Sequence, residues 1–311
     1  MRVIFNYNRK NSMKEPMAIA LGTFDGIHIG HQMLINQLKL ISSTTGSKSL
    51  VYTFLTNPLK LLSPKNAPPK IMTVSERIQK FQGLGIDYLV FNPFDSILAS
   101  MSPQGFIEDI LVSKYNLKYL VVGYDFRFGH MASGDIALLH SLSQKYGFEL
   151  VVIPPLSLEK KVISSSFIRE LIQTEGQMEK VSMLLGGHYS IPGRVIHGYG
   201  RGRDLGFPTA NLEFDVQKAI PKYGIYLTKV SIGAVSYWGM TNVGINPTFN
   251  NKGLFIETNI LDFDDDLYGR RIKIEFLKRI RDEIKFISIE DLKEQISKDI
   301  KWAKNFVYKL H

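Results

Sequence analysis

The chain contains no cysteine. That absence excludes a disulfide framework, thiolate metal sites and a cysteine nucleophile, and it fits a reducing, cytoplasmic setting. Long apolar runs are also missing. None approaches the ~18 residues of a membrane span, and the opening stretch MRVIFNYNRKNSMK has no signal-peptide core behind its charges. Neither a membrane protein nor a secreted one is expected. A third absence is any block of charge. Lys+Arg 38 against Asp+Glu 29 gives +9, spread as +5 over residues 1–184 (19 basic, 14 acidic) and +4 over 185–311 (19 and 15). A nucleic-acid arm usually shows as a basic block, so no nucleic-acid partner is expected. The mild positive balance suits anionic small molecules.

What is present is enough for two cores. At about 100–200 residues per domain, 311 residues with 44% hydrophobic side chains suggest two domains. In the first half, apolar runs at Met17–Leu21, Leu50–Phe54, Tyr88–Phe91, Tyr119–Val122 and Leu150–Ile153 alternate with helical patterns near 30–43, 75–83, 103–115 and 135–146. Ser75, Ser102 and Ser133 suit helix starts, and Pro103 suits a first turn. This alternation predicts a Rossmann-like parallel sheet with crossover helices, and ligands beyond the carboxyl ends of its strands. From His188 onward, glycine and proline punctuate short runs at Tyr189–Ile196, Gly224–Ile232, Ser236–Val243, Leu254–Phe263 and Arg271–Leu277. Strands at this spacing predict a small closed barrel. A last helix follows, with Ser288 and Asp291 as its capping pair and Leu292, Ile296, Ile300, Ala303 and Val307 as its apolar stripe.

Four segments carry chemistry. Gly22-Thr-Phe24-Asp25-Gly-Ile-His28-Ile-Gly30-His31 follows the first apolar run and opens the first helix. Its glycines permit a tight turn, and the helix start offers free N–H groups to phosphate, with His28 and His31 as imidazole donors. Two histidines without a third ligand do not make a zinc site. Ser164-Ser165-Ser166 with Arg169 forms a second phosphate grip. The glycine-rich stretch His197-Gly198-Tyr-Gly200-Arg201-Gly-Arg203 precedes Pro208-Thr209-Ala-Asn211; its backbone and arginines suit a triphosphate, and the Thr209 hydroxyl and Asn211 amide suit Mg²⁺ and phosphate oxygens. Glu257 stands in an apolar strand pattern, where a carboxylate is chemically out of place. Each segment has a plainer counterpart: a glycine turn with surface histidines, an N-cap with a solvated arginine, a hairpin loop, an outward-facing strand carboxylate.

Together these segments resemble the prokaryotic FAD synthetases, the bifunctional riboflavin kinase/FMN adenylyltransferases. Gly123-Tyr-Asp125-Phe126-Arg-Phe128-Gly129 is similar to a flavin and adenine pocket segment of that family. Asn242-Val-Gly244, Glu257-Thr-Asn, Leu267-Tyr-Gly269 and Ile280-Arg281-Asp-Glu283 extend the similarity to about Asp299. Two positions depart from the family pattern: Asn57 stands where its Thr-Phe-x-Pro-His-Pro stretch has histidine, and Ser166 where Ser-Ser-Thr has threonine.

The resemblance implies an α/β nucleotidylyltransferase-like domain at 1–184, then a small all-β riboflavin-kinase barrel with a C-terminal helix at 185–311. It implies riboflavin, FMN, FAD, ATP and Mg²⁺ as the ligands. Weak self-association is compatible with the sequence. Glu257, His28 and His31 take the catalytic roles. Gly22, Phe24, Asp25, Gly30, Asn57, Asp125, Phe126, Phe128, Ser164, Ser165, Ser166 and Arg169 would bind substrates in the first domain. Gly198, Gly200, Arg203, Pro208, Asn211 and Arg281 would do so in the second, with Thr209 and Asn211 on the metal. Two other readings stay open: a riboflavin kinase with a weakened or regulatory first domain, suggested by Asn57, and a flavin-sensing or RNA-binding protein.

Overall fold

A computed structural model of the chain describes residues 1–5, 12–198, 202, 205–245 and 253–308. Contacts divide the chain into two compact units, Met1–Ser165 and Ser166–His311.

The first unit is built on β1 (Arg2–Phe5), β2 (Met17–Leu21), β3 (Lys48–Phe54), β4 (Tyr88–Asn92), β5 (Leu117–Gly123) and β6 (Glu149–Ile153). All pairs are parallel, in the order β1-β4-β3-β2-β5-β6. Every residue of β2 is buried. Met17, Ile19 and Leu21 enter one core while Ala18 and Ala20 enter the other, because a parallel sheet covered on both faces buries both sides of its central strand. The expected Rossmann-like sheet is therefore present. It gains one edge strand, β1, whose four residues are too few to show a period.

The helices Ile29–Thr45, Val74–Leu84 and Ile136–Tyr146 lie where periodicity puts them. Two of their caps do not. Thr73 rather than Ser75 caps Val74–Leu84, in a reciprocal box with Glu76, and Asp135 rather than Ser133 accepts the Leu138 N–H. In each case the cap is set by which oxygen reaches the third helical N–H. Ser102 caps the stretch 103–115 as expected, but its middle, Phe106–Val112, is wound as a π-helix. A short hairpin of β7 (Ser157–Leu158) and β8 (Lys161–Val162) leads to Ser164.

In the second unit the helix Met178–Leu185 stops at Gly186, which takes a left-handed φ of 63°. Six antiparallel strands follow: β9 (Tyr189–Ile196), β10 (Ala210–Phe214), β11 (Gly224–Ile232), β12 (Val235–Ile245), β13 (Leu254–Ile260) and β14 (Arg271–Arg281). They close as β10-β13-β12-β11-β14-β9. Strand β10 was not expected: ANLEF alternates poorly, and its place comes from pairing with β9 and β13. Strand β13 ends at Ile260 rather than Phe263, and Asp262 turns the chain with a φ of 57°.

Inside the barrel, Thr228, Thr241 and Thr258 are fully buried. Their hydroxyls satisfy one another at 2.8 and 2.9 Å, with the Gly239 carbonyl accepting at 3.0 Å. The helix Ile289–Tyr308 begins with the Asp291 N–H donating to Ser288 Oγ. Its Ile300, Ala303 and Val307 pack on Leu227 and Met240, together with Trp302 and Phe306.

Candidate active sites

In the first unit a cavity of about 720 Å³ opens at the carboxyl ends of β2, β3 and β5. Its wall includes Gly22, Phe24, His28, Gly30 and His31 from the first segment, Asp125, Phe126 and Phe128 from the third strand-end loop, and Ser164 and Ser165. Residues far apart in sequence thus meet at one strand-end cleft, and Ser165 Oγ locks them by donating to the Asp25 carbonyl at 2.7 Å.

The histidines form a stacked pair, 3.7 Å between centroids and 21° between planes. His28 caps the helix: its Nδ1 accepts the His31 backbone N–H at 3.3 Å, so the neutral ring carries its proton at Nε2. Burial holds His28 down to about 4, against the pull of the Asp25 carboxylate. Burial also holds His31 well below its ordinary value, with His28 and the Arg77 cation adding to the effect. His31 Nδ1 is enclosed without a hydrogen-bond partner among the described residues. Both rings are neutral donors around pH 7 in the ligand-free protein. A Cβ at Gly30 would stand 3.2 Å from the His28 ring, so glycine there leaves the imidazole its place. Phe24, fully buried with a φ of 48°, meets the His31 ring edge-on at 5.1 Å.

Other expected residues lie elsewhere. The Asp25 carboxylate does not line the cavity; it accepts the N–H groups of Ile71 and Met72 at 3.0 and 3.1 Å. Asn57 Oδ1 accepts the Leu59 N–H at 2.9 Å, at the start of the short helix Leu59–Leu62, and Asn57 does not line the cavity either. The lining stops at Ser165; Ser166 and the buried Arg169 continue the helix Ser165–Glu170.

In the second unit a cavity of about 620 Å³ is lined by Thr209, Asn211, Asn242, Glu257, Arg281 and Glu283 among others. Strand register sets its chemistry. Asn211 pairs with Glu257, and Glu257 pairs with Asn242, so a carboxylate stands between two carboxamides on adjacent strands. Ile256, Thr258 and Ile260 point into the barrel. By the period of two, Glu257 points out of it, into a cavity roofed partly by Leu292, Ile296 and Ile300 of the last helix.

Thr209 and Asn211 bring a hydroxyl and a carboxamide to the same cavity as Glu257. A Cβ at Gly198 would fall 2.1 Å from Asn211 Nδ2, and one at Gly202 would fall 3.0 Å from Thr209 Oγ1. Two glycines thus admit the hydroxyl and the amide beside Glu257. A neutral hydroxyl and carboxamide near one carboxylate fit Mg²⁺, which keeps most of its waters and shares phosphate oxygens. Arg281 is committed to Asp299 through Nη2 at 2.6 Å and Nε at 3.1 Å, and Gln295 also donates to that carboxylate at 2.8 Å. Pro208 enters through its carbonyl, which accepts from Asn259 Nδ2 at 2.8 Å. Gly200, Arg201 and Arg203 lie outside the described residues.

The sequence model of the FAD synthetase family matches residues 10–167, and that of riboflavin kinase matches 185–307. The chain belongs to the bifunctional riboflavin kinase/FMN adenylyltransferase family. Relatives so named include those of Buchnera aphidicola subsp. Schizaphis graminum, 36% identical over 98% of this chain and 99% of its own, and of Bacillus subtilis, 38% identical over 96% of each. The Escherichia coli K12 protein is 34% identical over 96% of each chain. A crystal structure from Streptococcus pneumoniae, described as a macrolide-efflux protein, superposes with a TM-score of 0.89 at 32% identity over 97% of this chain and 99% of its own. Among the described residues here, no helix is long and apolar enough to cross a membrane.

Within this family frame, three side chains had no signal strong enough to single them out as site residues. Arg77 sits in an ordinary helical pattern. Asn242 and Glu283 were visible only as parts of family segments. Their relation is tertiary: Asn242 hydrogen-bonds Glu283, yet burial dominates and raises the Glu283 carboxyl above its ordinary value. A Cβ at Gly244 would fall 2.2 Å from Glu283 Oε1, so that glycine admits the carboxylate.

Proposed function

We infer that this chain phosphorylates riboflavin to FMN with ATP, then adenylylates FMN to FAD and releases pyrophosphate. The work is divided as residues 1–184 for adenylyl transfer and 185–311 for phosphorylation. The observation that carries the kinase reading is the row Asn211–Glu257–Asn242, with Thr209, on one cavity wall. Glu257 takes the proton of the riboflavin 5′-hydroxyl as that oxygen attacks the γ-phosphorus of ATP and ADP departs. Thr209 and Asn211 would hold Mg²⁺, which supplies positive charge to the phosphates when bound. Asn242 and Glu283 shape the wall beside the base. Arg281, held by Asp299, fixes the last helix over the substrate rather than offering a free cation.

In the first unit a phosphate oxygen of FMN attacks the α-phosphorus of ATP, and pyrophosphate leaves. No protein nucleophile is needed. The paired neutral imidazoles donate N–H to the phosphates, and arriving negative charge favours their protonated forms. Ser164 and Ser165, which line the cavity, add hydroxyl donors. Phe126 and Phe128, stacked at 5.7 Å, offer an aromatic face to a flavin or adenine ring. Asp25 and Asn57 act by holding loops, through the backbone N–H groups they accept. The enzyme takes small-molecule substrates in the cytoplasm, with no nucleic-acid partner, and weak self-association is compatible with this reading.

Product analysis of the full chain with riboflavin, ATP and Mg²⁺ tests this reading. FMN, then FAD with stoichiometric pyrophosphate, is expected. FMN accumulating without FAD would leave a kinase alone, and neither product would overturn both assignments.

A further inference from the structure

We infer that Arg77 is a positioning residue of the N-terminal site, pinning two strand ends beneath the cavity and keeping a fixed positive charge there for substrate phosphates. The inference rests on the adenylyltransferase reading of that cavity. Arg77 lies in the first turn of Val74–Leu84, whose start is fixed by the Thr73–Glu76 capping box. Its guanidinium reaches back over the sheet. Nη1 donates to the Phe54 carbonyl at 2.8 Å, and Nη2 to the Thr23 carbonyl at 2.9 Å and to Thr53 Oγ1. Thr53 Oγ1 in turn donates to the same Thr23 carbonyl at 3.1 Å.

These acceptors sit where adjacent parallel strands β2 and β3 end, the place where such sheets bind ligands. Thr23 and Phe54 themselves line the cavity. Thr23 also opens the turn whose next residue, Phe24, holds a left-handed backbone against the His31 ring. Clamping the Thr23 carbonyl therefore fixes the platform from which both histidines project.

Geometry explains the fork, but not the charge. Arg77 is 6% exposed and lies over the Phe91 ring at 4.9 Å. Its hydrogen bonds end on neutral oxygens, and its buried Nε has no partner among the described residues. Burial lowers it only to about 10, so it stays a cation at neutral pH, aided by the Asp25 carboxylate. That carboxylate is already shared with two backbone N–H groups. A buried cation bonded only to neutral groups is costly to keep. The cost is offset when a polyanion enters the neighbouring cavity.

The test uses the full chain, measuring FAD formed from supplied FMN and ATP, with inorganic tripolyphosphate as an inhibitor that probes the anion site. Arg77→Met removes charge and fork together; Arg77→Lys keeps the charge but loses the fork. For Arg77→Met, kcat is expected to fall about 100-fold, the scale of a ~1 Å misplacement, and the tripolyphosphate Ki to weaken about tenfold. Arg77→Lys should hold Ki within about twofold while kcat still falls about tenfold. FMN formation from riboflavin should be unchanged in both variants. Equal changes in Ki for the two variants would overturn the inference, as would wild-type kinetics with only a lowered unfolding temperature. If Arg77→Met does not fold, the split between Ki and kcat in Arg77→Lys decides alone. Wild-type chain making no FAD would instead remove the adenylyltransferase reading on which the inference rests.

Discussion

Replacing Gly198 with alanine isolates one contact of the kinase cavity. The added Cβ would stand 2.1 Å from Asn211 Nδ2 and 2.6 Å from its Cγ, where ordinary contact begins at 3.4 Å. The Asn211 carboxamide must therefore retreat by roughly 1 Å or more. Gly198 is exposed and precedes the strand pairing of Asn211, so the barrel core is untouched and stability should change by less than about 0.5 kcal/mol. Chemistry should suffer far more. A ~1 Å displacement of a group positioning the reacting phosphate is worth about 100-fold in kcat, or about 2.7 kcal/mol at 1.36 per decade. The assay is FMN formation from riboflavin and ATP, alongside FAD formation from supplied FMN as a control on the other unit. FMN formation within threefold of wild type would refute the reasoning, since Asn211 could then not be placed at the reacting phosphate.

Three further outcomes are expected. Glu257→Gln keeps the shape and removes the base, so FMN formation should be abolished while adenylylation of supplied FMN continues; equal loss of both activities would refute separate sites. Asp299→Asn leaves the Arg281 guanidinium, 18% exposed, without its counter-charge. Breaking a buried pair in this way costs about 3 kcal/mol, which denaturant unfolding of the C-terminal unit should read. His28 folds with its titration lowered from 6.5 to about 4, so the unfolded state binds the proton first as pH falls. Its contribution to stability is present above about 6.5 and is lost progressively down to about 4. His28→Asn should flatten the pH dependence of N-terminal unfolding across that window, and an unchanged slope would refute the buried neutral ring.

The family segments show why some of the site was legible in the chain and some was not. His28, Gly30 and His31 are adjacent in sequence and share one local structure, a strand end turning into a helix, so their meeting needed only local rules. Glu257 announced itself as a carboxylate in an apolar strand. Asp25 and Asn57 belong to the same kind of short segment, yet their carboxyl and amide oxygens are satisfied by the N–H groups of Ile71, Met72 and Leu59. The Asp25 partners depend on where a second loop passes, which spacing does not encode, whereas the Asn57–Leu59 bond is a local turn two residues long.

Hydrophobic period, glycine placement and the missing cysteines determined the two-part architecture, the parallel sheet followed by a barrel, and the chemical vocabulary of imidazole, hydroxyl, guanidinium and carboxylate. Period is local, so it survives in the linear sequence. Only the tertiary structure decided which of these groups share a wall. Register across β10, β13 and β12 set Asn211, Glu257 and Asn242 in one row. Closure of the barrel made a strand of Ala210–Phe214, and burial of Arg77 where β2 and β3 end put a cation near His31. Pairing and burial depend on residues distant along the chain, and their energies are settled only when the chain is folded.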